Sequence, residues 1–165
     1  MGRLDDKRFN GYLGMRIPHD LDQVVNDYIS TYRSASNERR GELVGAVSPR
    51  AASVLSAYGQ RMAVEAVRRD AEEPLERAVV AVGIAEQRLP DPRENVIVLG
   101  AVHHSAELLG TSLAQIVARV SDTLPPASVL ELQRFVQRDE KDKSLKAMRL
   151  RSLGTGETFI YVSGG

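Results

Sequence analysis

The sequence predicts an all-α fold of six to seven helices, a bundle or a short α-solenoid-like stack, followed by a small C-terminal β-hairpin. Three observations predict it. Apolar residues recur at helical spacing through most of residues 20–140. Capping residues and prolines mark new helix starts near residues 20, 37, 48, 74, 91, 112 and 125. Alternation with period two is confined to the last part of the chain.

The first 19 residues read as an arm. Gly11, Gly14 and Pro18 interrupt it, while Phe9, Tyr12, Leu13, Met15 and Ile17 supply apolar tethers. Asp20 is the expected N-cap of the first helix. Leu21, Val24, Val25, Tyr28, Ile29 and Tyr32 then fall on one face, with Asp22, Gln23, Asn26 and Asp27 opposite. Asn37 is expected to start a short helix, which Gly41 and Gly45 weaken by roughly 1 kcal/mol each relative to alanine. Ser48 caps a longer helix with Pro49 at its first position, where a missing N–H costs no bond. Ala51, Val54, Leu55, Tyr58, Met62 and Ala66 make its stripe. Pro74 opens the next helix in the same way. Leu75, Ala78, Val79, Val82 and Ala85 recur at helical spacing, and Leu89-Pro90 ends it.

The most apolar stretch is "RENVIVLGAVHHSAELLG", from Arg93 to Gly110. Asp91 is its cap and Pro92 its first helical residue. Glu94, three residues after Asp91, completes a capping-box pattern, and Gly110 is the C-cap glycine. Val98, Leu99, Val102, Ala106 and Leu109 form a broad apolar face, with Ile97, Ala101 and Leu108 roughly opposite. A helix apolar nearly all round is expected at the centre of the core, and Gly100 would admit a close neighbour. Ser112 with Gln115 caps a helix whose inward residues are Leu113, Ile116, Val117 and Val120. Pro125-Pro126 ends it and starts the last helix, with Val129, Leu132, Phe135 and Val136 as its apolar set.

"RDEKDK" (138–143) is a solvated charge run. Beyond it, Met148 and Leu150 alternate with Arg149 and Arg151, and Phe159 and Tyr161 alternate with Ile160 and Val162. Gly154-Thr155-Gly156 lies between the two segments, which predicts a hairpin. Such a hairpin is barely stable alone, so it should pack on the helices, take a strand from the arm, or pair across a dimer. The expected organisation is an arm (1–19), a helical domain (20–140) and a hairpin appendage on the same domain (141–165).

Composition narrows the function classes. The 22 basic and 22 acidic side chains cancel, so no global field draws in nucleic acid or an anionic membrane. With no cysteine, disulfides, thiolate catalysis and cysteine metal sites are out of reach, which fits a cytoplasmic setting. Three Phe, five Tyr and no Trp leave few platforms for stacking nucleobases. The opening residues lack the apolar run of a signal peptide, and no run is long enough to span a bilayer.

One candidate site emerges. His103 and Glu107 stand four apart on a single helical stripe, together with Val96 and Gly100. That spacing suits a small-ligand, metal or acid–base site. A metal site needs at least three protein ligands, however, and the adjacent His104 points about 100° away from His103. The one other histidine, His19, belongs to the arm. A His–Glu pair within a covered core therefore outweighs a metal site, and no metal, cofactor or catalytic set is assigned. Glycine-rich "GTGETF" precedes a strand rather than the helix a phosphate cradle needs. Arg134, Arg138, Lys141, Lys143, Lys146, Arg149 and Arg151 gather near the hairpin. Interleaved acids dilute them, which favours a solvated face over a nucleic-acid patch. The expected function is a non-enzymatic helical interaction module that binds a protein partner or itself. Two alternatives stand behind it: a small-ligand or metal-binding enzyme using His103 and Glu107, and nucleic-acid binding through the basic C-terminal segment.

Overall fold

The computed structural model describes residues 19–89, 91 and 93–141, and among them there are seven helices and no strand. We number them α1 (His19–Ser34), α2 (Asn37–Gly45), α3 (Pro49–Arg69), α4 (Glu73–Glu86), α5 (Arg93–Leu108), α6 (Leu113–Val120) and α7 (Pro126–Lys141). The arm up to Pro18 and the expected hairpin beyond Lys141 lie outside the described residues. The architecture is an all-α helical bundle. No single described helix is long and apolar enough to cross a membrane.

Local chemistry sets most of the boundaries. Ser48 Oγ accepts from Ala51 N at 3.1 Å, with Pro49 next. Ser112 and Gln115 form the complete reciprocal box: Ser112 Oγ accepts from Gln115 N at 3.2 Å, and Gln115 Oε1 accepts from Ser112 N at 3.1 Å. Asp91 accepts from Arg93 N at 3.0 Å. The side chain of Glu94, the other half of that expected box, lies outside the described set. Gly110 has φ +77°, the left-handed conformation in which glycine ends a helix without strain.

Helix α2 starts at Asn37 as expected, capped by Ser36, which is extended and whose hydroxyl accepts from Arg39 N at 3.2 Å. Two starts differ from expectation. Helix α1 begins at His19, which places Asp20 inside its first turn. Helix α4 begins at Glu73, so Pro74 sits second, and Glu72 precedes it with no side-chain cap bond. The first turn of α4 tolerates Pro74 because N–H groups there have no partner within the helix.

The central helix is α4, not α5. Pro74, Leu75 and the whole run Ala78–Ala85 are buried. Helices α3, α5, α6, α7 and α1 all pack on α4. Two glycines allow this crowding. A Cβ on Gly59 of α3 would stand 2.9 Å from Val82 Cγ2 and 3.4 Å from the Ala78 carbonyl oxygen. One on Gly83 would stand 2.5 Å from Leu124 Cδ2. Helix α5 has a buried face of Val98, Leu99, Val102 and Ala106, and Ala101 packs with Ile97 against Val64 and Val67. Leu108, in contrast, is 58% exposed and Val96 is 39% exposed, so α5 forms an outer wall of the bundle.

Buried polar side chains tie the layers together. Asn95 accepts from Ser56 Oγ at 3.3 Å and donates to the Val82 carbonyl at 3.2 Å, linking α5 to α3 and α4. Ser128 of α7 donates to the Gly83 carbonyl and accepts from Gln87 Nε2 at 2.8 Å. These bonds give the buried Ser56, Asn95 and Ser128 side chains their partners.

Candidate functional site

The structure brings His103 and Glu107 together as helical spacing requires. His103 Nε2 lies 3.6 Å from Glu107 Oε1, beyond good hydrogen-bond length. The histidine side chain is 13% exposed and the carboxylate 55% exposed. His104 is half-buried on a different side of the helix. Among the described residues, no group of three or more His, Asp or Glu side chains is placed to hold a metal ion. Neither His103 nor Glu107 lines any of the three clefts described below. With one partner so exposed, a double-mutant cycle on His103→Ala and Glu107→Ala should yield a coupling of less than about 0.5 kcal/mol. A coupling of several times that size would contradict so weak a pairing.

The most polar cleft, about 640 Å³, lies between α1, α3 and the start of α4. Its charges largely compensate one another. Asp22 pairs with Arg61, and Arg77 donates to Ser30 Oγ at 2.7 Å. Glu65 accepts from Arg68 and Arg69, each at 2.6 Å, and the Arg68 hydrogen bond leads in holding its carboxyl below the usual range. Tyr58, beneath this cleft, donates to Asn26 Oδ1.

Three buried tyrosines predict an alkaline transition. Burial pushes the phenols of Tyr32 and Tyr58 up to about 12, and that of Tyr28 upward as well. In the unfolded chain a phenol ionises near pH ~10. Their contribution to stability is therefore complete below that pH and is lost as pH rises from there through the folded values. Phenolate absorbance of these residues should appear together with loss of helical circular dichroism. Early ionisation of all five tyrosines with the helices intact would contradict the burial.

A second cleft, of about 660 Å³, is mainly apolar and lies between the end of α1, helix α2 and the turn joining α6 to α7. Tyr32, Val44, Leu124, Pro125, Pro126 and Val129 supply its apolar walls. Arg40 builds the junction. Its Nε donates to the Tyr32 carbonyl at 3.0 Å, one Nη to the Arg33 carbonyl at 2.7 Å, and the other to the Asp122 carbonyl at 3.1 Å. The guanidinium also lies 5.7 Å from the centre of the Tyr32 ring. Tyr32 Oη donates to the Thr123 carbonyl. Arg40 thus satisfies the last carbonyls of α1 at the negative end of that helix and fixes the distant 121–125 turn. Gly41 opens one wall, since a Cβ there would meet nothing within 4 Å.

A third cleft of about 450 Å³ follows the α6–α7 hairpin, lined by Ala114, Val117 and Ala118 on one side and Gln133, Val136 and Gln137 on the other. Ser121 lines both this cleft and the second.

Sequence reasoning missed this groove. Its residues come from separate segments, at 32–44 and 121–137. The local signals, Gly41 inside a helix and Pro125-Pro126 between two, read as a weakened helix and a breaker. Of the seven basic residues expected as a patch, Arg134 is paired with Glu131 at 2.6 Å. Lys143, Lys146, Arg149 and Arg151 lie outside the described residues. Comparisons with protein-family models, with curated proteins and with solved structures find no match to this chain.

Proposed function

We propose that the chain is a non-enzymatic helical interaction module whose cleft between α2 and the α6–α7 turn binds an uncharged, apolar segment of a protein partner. The apolar cleft itself carries this reading. Its volume of about 660 Å³ falls within the range of roughly 300–1,000 Å³ typical of ligand sites. The ionisable residues in its lining are Tyr32, Arg40 and Asp122, which leave the rim with balanced charge. The Tyr32 hydroxyl and the Arg40 guanidinium are engaged by backbone carbonyls, so the walls present mostly apolar atoms to an occupant. Helical grooves of this kind recognise a few spaced apolar anchors on a peptide.

Gly41 gives a clean test. It is exposed on α2 and has free space beyond it, so Gly41→Glu sends a charged side chain into the cleft without a clash. Selection of a displayed peptide library on the purified chain should enrich apolar sequences. Those peptides should lose at least tenfold in affinity, about 1.4 kcal/mol, for Gly41→Glu. Selected peptides that bind Gly41→Glu equally well would place recognition elsewhere and end this reading.

A further inference from the structure

We infer that the chain's own C-terminal segment, residues 142–165, folds back along the α6–α7 hairpin and seats the apolar run Phe159–Val162 in the same cleft. There it acts as a ligand in cis that competes with a partner. This rests on the reading of the cleft as a peptide-binding site.

The third cleft reaches the last turns of α7, after which this segment begins. Helix α7 ends at Lys141, and Val136 and Gln137, within the last turn and a half, line the third cleft. Ser121 lines both that cleft and the apolar one, where Pro126 and Val129, at the beginning of α7, form a wall. Helix α7 has 16 residues, a length of about 24 Å at 1.5 Å each. Residues 142–158 can span up to roughly 55 Å when extended, more than twice that distance.

The segment also has the right chemistry. Phe159, Ile160, Tyr161 and Val162 are four consecutive apolar residues. In an extended chain Phe159 and Tyr161 face one way and Ile160 and Val162 the other. Neither face is polar, so such a strand needs cover on both sides, as an occupant of a groove obtains. The N-terminal arm is a poorer fit. Its apolar residues are broken up by Asn10, Gly11, Gly14 and Arg16. It also joins α1 at His19, about 20 Å along that helix from Tyr32.

The chain contains no tryptophan, so Phe159→Trp introduces a single indole reporter into the full-length protein. Its emission should be shifted to shorter wavelength than in the chemically unfolded chain. Adding Gly41→Glu, or Gly41→Lys if the first folds poorly, should reverse the shift with helical circular dichroism unchanged. A peptide selected for the cleft should reverse it too. Solvent-like emission from Phe159→Trp overturns the inference, as does a buried signal indifferent to both Gly41 variants. Either result leaves the partner reading intact, because that reading is judged on a full-length Phe159→Asp chain whose cleft is vacated. If no peptide can be selected on Phe159→Asp, the partner reading falls, and with it the competition claimed here.

Discussion

Ile84→Ala should lower the unfolding free energy by about 2–5 kcal/mol, as expected for removing a large aliphatic side chain from a packed core. Leu108→Ala should change it by no more than about 0.5 kcal/mol, because an exposed side chain leaves no cavity. Ile84 is fully buried on α4, while Leu108 on α5 is 58% exposed. Urea titrations of the two variants check the burial of Ile84 in α4 against the exposure of Leu108 at the end of α5. Equal midpoints would contradict that difference in burial. The reason α4 wins is size as much as hydropathy. Its run from Ala78 to Ala85 is built of alanine, valine, glycine and one isoleucine, which lets helix backbones approach from several sides. Helix α5 is equally apolar by residue count but carries Val96, Glu107 and Leu108 on its outer side.

Gly59→Val should destabilise by about 3 kcal/mol, the upper end of what overpacking a core costs. Gly41→Ala should instead stabilise by about 0.4–1 kcal/mol by restricting the unfolded chain. Both glycines lie inside helices, so helix propensity alone predicts gains at both. Their surroundings set the sign. At Gly59 the added Cβ meets the stiff, branched Val82 and a backbone carbonyl, and neither can yield without moving α4. At Gly41 it meets open space. Thermal unfolding of the two variants gives the comparison, and a Gly59→Val midpoint at the wild-type value would show that α3 and α4 are not held at this close approach.

The candidate site shows the same division between near and far in the chain. The His103–Glu107 pair was legible because α-helical spacing dictates which side chains four residues apart are neighbours. The apolar cleft was not, because its walls come from α1, α2, the α6–α7 turn and α7, and nothing in any one segment announces the others. Asn95 illustrates the point at a single residue. In the sequence it is a polar interruption near the start of an apolar helix. In the fold it is 1% exposed and joins three helices.

What the sequence by itself determined was local: the all-α class, the caps at Ser48, Ser112 and Gly110, the breaks at prolines, and the stripe that carries His103. Those depend on backbone geometry and hydrogen bonds within a few residues, so short-range patterns encode them. Tertiary structure alone decided that α4 occupies the centre and that Arg40 pins the 121–125 turn to the end of α1. These are contests between nearly equivalent local choices, or contacts between residues some 80 positions apart. Packing resolves them, because steric fit and the satisfaction of buried carbonyls act only once the helices have met.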